Sequence, residues 1–482
     1  MAENIKEKTI IGLTWSAIDN IASQGITFII GIILARLLTP KEFGTLGIAM
    51  IFVGLFNKFV DCGFSNALIR KKDVLPIDYN TAFIFNLVVS FALYGICFII
   101  SPYISTFFDN AELLVVLRWM SLVVIINAVG IVQKTILIKR IDFKTQTKIS
   151  LISSILSGAV GIITAFWGCG VMSLVYQQLT RQLLNASLLW IFNNWFPKLE
   201  FSIRSFKQQF SYGIKLLLSG IIDFTFNEAA VFVIGKFYTP ATLGQYSRAK
   251  QFSSIFSSNL SNIMERVTFP VLAKFQENKD LLVKQYKRMV KCLMLVSGFF
   301  MITLACTAES VVLILVGDKW TEAIVYLQII CFNDMFYPIK QVNINAIQVM
   351  GRSDLVLKVT VLKRLLQIIP IFLGLYSIYY MLYGLVIASV LGLLLNAFFA
   401  SKCIPYSVKE QIIDLSKPIL ICALSGIVMF FITLFKLNIY IQLILQLILG
   451  SAVFFVIVRI IKYTEYYFLK ETVCSVLAKI KR

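Results

Sequence analysis

The sequence predicts an all-α membrane protein with about fourteen transmembrane helices, arranged as two six-helix lobes followed by two further helices. Three observations predict this class. The composition is strongly apolar, the apolar residues fall in blocks of bilayer length, and lysine and arginine are concentrated in alternate connections between these blocks. Together they are typical of a multi-pass membrane protein and not of a soluble domain.

Composition and block length favour transmembrane helices. Apolar residues make up 58% of the 482 residues and charged residues only 15%, whereas soluble domains carry about 25% charged residues. Blocks of about 20 apolar residues match the roughly 30 Å hydrocarbon core of a bilayer, and they are too long for barrel strands. The predicted spans are 10–35, 43–69, 80–101, 113–138, 147–167, 171–195, 211–235, 244–268, 289–308, 323–350, 355–375, 382–401, 417–435 and 439–461.

The basic residues indicate the orientation of these spans. If the N-terminus is cytoplasmic, the cytoplasmic segments hold 31 lysines and arginines and the opposite side holds 5. Because positive residues favour the cytoplasmic side, we expect a bacterial inner-membrane protein with both termini in the cytoplasm. Attraction to the anionic lipids of the inner leaflet then accounts for the net charge of +20, and no nucleic-acid partner is expected.

A short motif occurs twice at an offset of 200 residues. Thr39-Pro40-Lys41-Glu42-Phe43-Gly44 follows the first span, and Thr239-Pro240-Ala241-Thr242-Leu243-Gly244 follows the seventh. In each copy, proline ends one helix and glycine opens the tight start of the next. Six spans separate the copies, so the two halves should share one orientation. The predicted divisions are lobes at 1–200 and 201–408, two helices within 409–462, and an amphipathic cytoplasmic tail at 463–482.

Several cations lie inside the predicted spans, where a charge costs roughly 2.5–3.5 kcal/mol unless it faces a cavity. We expect them to bind an anionic head group in a central cavity, with Arg181 the strongest candidate because its span offers no acidic partner. Local pairing with Asp61 and Asp334, or extension of the side chain to the membrane surface, is the alternative. The candidate cations are Arg181, Lys58, Arg248, Lys250 and Lys340.

A second set of polar residues inside the spans predicts either a cavity lining or a site for a coupling cation or proton. Interhelical hydrogen bonds are the alternative interpretation. Amide side chains suit sugar hydroxyls, so the tenth span is a candidate glycan contact, with helix packing again the alternative. The candidates are Asp19, Asn20, Asp223, Asn227, Glu228, Asp334, Asn343 and Asn345.

The sequence predicts no bound cofactor, no metal site and no enzyme activity. It contains no histidine, no CxxC pair and no phosphate-binding GxxxxGK[ST] loop, which leaves a substrate gradient or a Na⁺ or H⁺ gradient to drive transport. A membrane glycosyltransferase or polymerase is disfavoured because there is no DxD motif and no long external loop. The chain should therefore be a carrier.

The segment Leu34-Ala35-Arg36-Leu37-Leu38-Thr39-Pro40-Lys41-Glu42-Phe43-Gly44-Thr45-Leu46-Gly47 resembles the first-loop signature of Wzx-type polysaccharide and O-antigen flippases. These belong to the polysaccharide transporter family of the multidrug/oligosaccharidyl-lipid/polysaccharide superfamily. The resemblance implies two six-helix lobes around a cavity and alternating access. It also implies export of an undecaprenyl-diphosphate-linked oligosaccharide for lipopolysaccharide or capsule, with polymerase or assembly proteins as partners. A cation-coupled multidrug exporter of the same superfamily is the alternative.

Overall fold

The computed structural model describes Trp15 and residues 22–193 and 195–471. These residues form helices and turns, with no β-strand among them. By their contacts they divide into two compact units, one up to Ser247 and one from Arg248, with the division inside α10. The all-α prediction is confirmed.

The first unit contains nine helices of the described chain and the start of α10. Helix α7 packs against α8, α6 against both α4 and α8, and α9 against α2, α3 and α4. The helices are α1 (Ala22–Leu37), α2 (Pro40–Asp61), α3 (Phe64–Arg70), α4 (Pro76–Phe107), α5 (Glu112–Met120), α6 (Leu122–Lys139), α7 (Phe143–Phe166), α8 (Val171–Phe192), α9 (Ile203–Phe237) and α10 (Pro240–Lys274).

The second unit continues from α10. Helix α11 packs against α13 and α17, α16 against α13, α14 and α15, and α17 against α18. The helices are α11 (Lys279–Cys306), α12 (Ala308–Leu315), a 3₁₀ turn (Asp318–Trp320), α13 (Thr321–Asp334), α14 (Tyr337–Val349), α15 (Ser353–Leu373), α16 (Ile378–Ser401), α17 (Val408–Thr433) and α18 (Ile439–Ile460). A last helical stretch covers 464–471.

Each predicted span is occupied by one helix or by two consecutive helices over its described residues. Nine helical segments of the described chain are long and apolar enough to cross a membrane, so this is a multi-pass membrane protein. The number fourteen, the lobe boundaries and the membrane orientation stay predictions.

The predicted spans 43–69, 113–138 and 323–350 are each divided between two helices in the structure, and α5 and α6 meet at Ser121. Helices α2 and α3 are separated by Cys62 and Gly63, both in the left-handed region with φ of 45° and 72°. Helices α13 and α14 are separated at Met335 and Phe336. Pro338, the second residue of α14, has no N–H to donate to the preceding turn. Apolar block length alone cannot report such breaks, because the flanking residues remain apolar.

Both copies of the repeated motif start a helix, but proline opens that helix where the sequence predicted glycine. Pro40 and Pro240 are the first residues of α2 and α10, and Gly44 and Gly244 lie one turn inside them. A second pair of similar segments, Arg140-Ile141-Asp142-Phe143 and Arg352-Ser353-Asp354-Leu355, has different roles in its two copies. The Asp142 carboxylate accepts a hydrogen bond from the Thr145 backbone N–H at 3.1 Å and caps α7. Asp354 instead forms a bidentate pair with Arg352, with two bonds of 2.9 Å.

Helix α9 is fixed at its first turns by a buried carboxylate at the start of α4. Asp78, which is 2% exposed, accepts hydrogen bonds from Lys71 Nζ at 2.7 Å and Ser205 Oγ at 2.6 Å. The Gln209 amide donates to the Asp78 carbonyl oxygen at 3.1 Å. These bonds fix the start of α9 against the start of α4.

The described part of the predicted amphipathic tail is helical and lies against α11. Glu465 is 5% exposed and forms an ion pair with Lys291 at 2.7 Å. The Arg288 guanidinium lies 3.8 Å from the centre of the Phe468 ring. Residues 472–482 lie outside the described chain, so the rest of this prediction stays untested.

Candidate substrate cavity

A polar cavity of about 500 Å³ lies within the first compact unit, among α2, α6, α7 and α8. Most of its lining side chains are amides or carry a charge, although these helices belong to a membrane protein. The lining residues are Asn57, Asp61, Ile126, Asn127, Gly130, Ile131, Lys134, Ser150, Gln178, Arg181, Gln182, Asn185, Ala186 and Leu189.

Helix α8 contributes the longest polar stripe of the cavity. Gln178, Arg181, Gln182 and Asn185 are spaced at i, i+3, i+4 and i+7, which places them on one face of a helix. The opposite face carries residues such as Leu183, which is exposed at 56% and is suited to lipid. The helix therefore presents a polar face to the cavity and an apolar face away from it.

Helices α2 and α6 complete the polar wall. Asn57 and Asp61 are one turn apart on α2, and the Asn127 amide on α6 donates to Asn57 Oδ1 at 3.0 Å. One oxygen of Asp61 accepts hydrogen bonds from the Ser65 backbone N–H and hydroxyl. Lys134 lies two turns after Asn127 on the cavity side of α6. The two helices thereby bring a carboxylate and an ammonium group to the same space.

The charges of the lining have a net positive sign. Arg181 and Lys134 contribute two positive charges, and Asp61 contributes one negative charge. A guanidinium binds phosphate oxygens with two parallel hydrogen bonds, and an ammonium binds them as a compact charge. The five amides can both donate to and accept from sugar hydroxyls. This combination suits a ligand that carries both phosphate and sugar.

The structure brings one of the five predicted cations into this cavity. Arg181 lines it, whereas Lys58 does not and its side chain is exposed. A helix turns about 100° per residue, so Asn57 faces the cavity while Lys58 points elsewhere. No ion pair within 4 Å joins Lys58 to Asp61 in the described chain.

The other predicted cations lie in the second unit. Arg248 is 3% exposed, donates to Gln251 Oε1 at 2.6 Å, and its guanidinium lies 5.2 Å from the Trp320 ring centre. Lys250 is half-buried on the same helix. Lys340 Nζ bonds to Ser389 Oγ at 2.8 Å.

The predicted acidic and amide residues are scattered. Asp19 and Asn20 lie outside the described residues. On α9, Asp223 and Glu228 are half-buried and Asn227 is exposed. The Asp334 carboxylate, at the end of α13, accepts from Ser253 Oγ at 2.6 Å and from Asn333 Nδ2 at 2.9 Å.

The amides of the tenth predicted span are buried in α14. Asn343 Oδ1 accepts from Tyr286 Oη at 2.7 Å and from Gln411 Nε2 at 3.0 Å. Asn345 is 1% exposed. The contacts of Asn343 are those of interhelical packing, the second of the two interpretations that the sequence leaves open.

Sequence reasoning missed most of the cavity. Lys134, Asn127 and the amides of α8 were not among the candidates, although the helical spacing of Gln178, Gln182 and Asn185 around Arg181 could have indicated them. No comparable signal exists for Lys134, because only the packing of α6 against α8 shows that the two cations share a cavity.

The fold is that of a multi-pass membrane protein with a polar cavity among its helices. Residues 33–325 match the family described as "Polysaccharide biosynthesis protein", and the chain belongs to that family. The resemblance at Leu34–Gly47 is thereby confirmed.

Curated relatives of similar length are known. The teichuronic acid biosynthesis protein TuaB of Bacillus subtilis is 24% identical over 435 residues, which cover 89% of this chain and 90% of TuaB. The lipopolysaccharide biosynthesis protein WzxC of Escherichia coli is 23% identical over 77% of this chain and 76% of WzxC. The succinoglycan biosynthesis transport protein ExoT of Rhizobium meliloti is 24% identical over 67% of this chain.

Solved structures share the fold. The lipid II flippase MurJ in an inward closed conformation superposes with a TM-score of 0.73 at 15% identity, covering 94% of this chain and 98% of MurJ. An inward-facing multidrug transporter of the MATE family reaches 0.59 at 16% identity, covering 80% of this chain and 98% of that one. At these identities the likeness concerns the fold alone.

Proposed function

We propose that this protein moves a lipid-linked oligosaccharide across the bacterial inner membrane, with the phosphate and the first sugars of the head group in the cavity of the first compact unit. The observation that carries the proposal is the lining itself. Two cations and five amides converge on about 500 Å³ of space inside a multi-pass membrane protein. In a low-dielectric setting such groups replace the water shell of a charged and hydroxylated ligand.

The family and the curated relatives support this substrate class. The relatives are named for the biosynthesis of teichuronic acid, lipopolysaccharide and succinoglycan, which are surface polysaccharides. A carrier of a polysaccharide precursor, with no catalytic step of its own, is consistent with a cavity that contains cations and amides. An undecaprenyl-diphosphate anchor and both termini in the cytoplasm belong to the same proposal.

The proposal is tested in a strain that lacks the gene. We expect loss of the surface polysaccharide and accumulation of its lipid-linked precursor on the cytoplasmic face, both reversed by the wild-type chain. The double variant Arg181→Gln/Lys134→Gln should not reverse them, although it inserts at wild-type abundance. Normal polysaccharide in the deletion strain would contradict the proposal.

A multidrug exporter is the alternative function, and the charge of the cavity separates the two. A net positive lining repels cationic drugs and attracts phosphate. We therefore expect the deletion strain to keep its resistance to cationic drugs. A fall in resistance, with the precursor exported normally, would favour the drug exporter.

The energy source is also open to experiment. We propose that, if a Na⁺ or H⁺ gradient drives the cycle, the half-buried Asp223 of α9 belongs to the coupling site, since it is an acid within a membrane-spanning helix. Asp223→Asn should then slow export and remove its dependence on the gradient. Export that never depended on an ion gradient would leave the substrate gradient as the driving force.

A further inference from the structure

The two copies of the repeated motif contact each other within the first compact unit. A Cβ atom built on Gly44 would lie 1.7 Å from the carbonyl oxygen of Pro240, and one built on Gly244 would lie 1.8 Å from the carbonyl oxygen of Pro40. The contact is therefore reciprocal: the glycine of each motif lies against the proline carbonyl of the other. The starts of α2 and α10 cross at these two glycines.

Only glycine permits this crossing. Any side chain at either position would overlap backbone atoms, which cannot move aside as the end of a flexible side chain could. Gly47, one turn further along α2, differs: its Cβ would lie 3.7 Å from Leu243 Cδ2 and from Ser247 Oγ, an ordinary van der Waals distance. The requirement for glycine is thus confined to the crossing point.

The two helix starts are held rigidly around the crossing. Glu42 accepts hydrogen bonds from the Thr39 backbone N–H at 2.6 Å and the Thr39 hydroxyl at 2.9 Å. In the second copy the Thr242 backbone N–H donates to Thr239 Oγ1 at 3.1 Å. Capped helix ends resist local adjustment, so an added side chain would separate the helices as whole bodies.

A second close backbone contact lies at the other end of α2. A Cβ built on Gly213 of α9 would lie 2.1 Å from the carbonyl oxygen of Cys62, and one on Gly63 would lie 2.9 Å from Gly213 Cα. Gly44 and Gly63 are 19 residues apart, which in a helix is about 28 Å and close to the hydrocarbon thickness of a bilayer. The two contacts are therefore separated along α2 by about the thickness of the bilayer core, as contacts near opposite faces of a membrane would be.

The cavity lies between these contacts along α2. Asn57 and Asp61, which line it, fall between Gly44 and Gly63 in the helix. Between the contacts, Phe224 of α9 lies so close to α2 that a Cβ on Gly54 would approach its ring to 2.7 Å. In this structure α2 is thus closed against α9 and α10 at both ends and in the middle.

We propose that the Gly44–Gly244 and Gly63–Gly213 contacts are the two gates of the transport path, which open in turn to expose the cavity to opposite sides of the membrane. The proposal rests on the carrier role proposed above, and it does not depend on the identity of the substrate. With the orientation that the basic residues predict, Gly44–Gly244 is the outer gate. A bistable carrier needs such contacts to be tight when closed and absent when open.

The first test locks the outer contact with a disulfide. In a chain whose nine native cysteines are replaced, the pair Gly47→Cys/Ser247→Cys should form a cross-link, because the two positions already lie within disulfide reach. We expect oxidation to stop export and a reductant to restore it. Each single cysteine variant is the control. Full export by the cross-linked protein, or no cross-link under oxidising conditions, would overturn the proposal.

The second test measures access to the cavity without any substrate. A reporter cysteine at Asn185 is labelled with an impermeant thiol reagent, added to right-side-out or inside-out vesicles. Gly44→Ala should raise labelling severalfold from one side, and Gly213→Ala should raise it severalfold from the other. The matched controls are Gly47→Ala on α2, where a Cβ would make only ordinary van der Waals contacts at 3.7 Å, and Gly220→Ala on α9, where it would meet nothing within 4 Å.

The decisive result is that the two substitutions raise labelling from opposite sides of the membrane. Two glycines that serve only for packing would, on substitution, destabilise the protein or change labelling equally from both sides. Either of those outcomes would overturn the proposal. Each substitution could raise labelling from its own side while the deletion strain still exports its polysaccharide normally. That result would support the two gates and show that the proposed substrate is wrong.

Discussion

The two compact units both carry polar groups inside their helices but arrange them differently. In the first unit, side chains from α2, α6 and α8 face a common cavity around Arg181. In the second unit they face each other: Asn343 binds Tyr286 and Gln411, Lys340 binds Ser389, and Asp334 binds Ser253. A polar residue in a membrane helix thus either lines a cavity or hydrogen-bonds to a neighbouring helix. Its partners across the helix interface decide between these two roles.

The difference has an energetic consequence. A buried polar group that loses its partner costs about 1–3 kcal/mol, so substitutions in the second unit should reduce stability. A group that lines a cavity is solvated when no ligand is bound, and its loss should reduce export with little effect on stability. The predictions below separate the two effects, beginning with the largest.

The largest effect is expected for Arg181→Gln. The substitution removes a cation that would bind phosphate through charge-assisted hydrogen bonds, worth about 1.5–3 kcal/mol, so export at limiting substrate should fall roughly tenfold to hundredfold. Export is measured as surface polysaccharide in the deletion strain that carries the variant. Arg118→Gln is the control, since Arg118 bonds to Ser101 at 3.1 Å, outside the cavity. Wild-type export by Arg181→Gln would remove this residue from the site.

The next effect compares two asparagines. Asn343→Leu leaves the Tyr286 hydroxyl and the Gln411 amide buried without this partner, so we expect the free energy of unfolding to fall by about 1–3 kcal/mol. Asn185→Leu, in the cavity, should instead keep the unfolding midpoint and lower export. Unfolding midpoints in detergent and polysaccharide assays are measured for both. The comparison fails if both variants lose stability equally.

A smaller loss is expected for Tyr286→Phe. Only the hydroxyl is removed, and Asn343 retains its bond from Gln411 at 3.0 Å, so the free energy of unfolding should fall by about 1 kcal/mol. The unfolding midpoint should lie between those of the wild type and Asn343→Leu, with export unchanged. An unfolding midpoint as low as that of Asn343→Leu would mean that the hydroxyl carries the whole interaction.

The smallest effect is expected for Lys58→Met. Its side chain is exposed and lies outside the cavity lining, whereas the adjacent Asn57 lines it. We expect unchanged export for Lys58→Met and reduced export for Asn57→Leu, both measured as surface polysaccharide in the deletion strain. Reduced export by Lys58→Met at normal abundance would show that this cation meets the substrate in another conformation of the carrier.

The repeated Thr-Pro motif illustrates how far sequence reasoning reaches. Its spacing predicted two equivalent helix starts, and α2 and α10 begin at Pro40 and Pro240. It could not indicate that the glycines of the two motifs touch, because they are 200 residues apart. The same limit applies to Arg181 and Lys134, whose shared cavity depends on how α6 packs against α8.

The sequence by itself determined the class of this protein: an apolar helical chain that crosses the membrane many times, with the signature of its family near residue 40. These properties follow from composition, block length and local helix chemistry, which need no knowledge of distant contacts. The tertiary structure alone decided which polar groups face a cavity and which satisfy each other. That choice depends on the rotation and packing of each helix against its neighbours, because one position along a helix changes the direction of a side chain by about 100°.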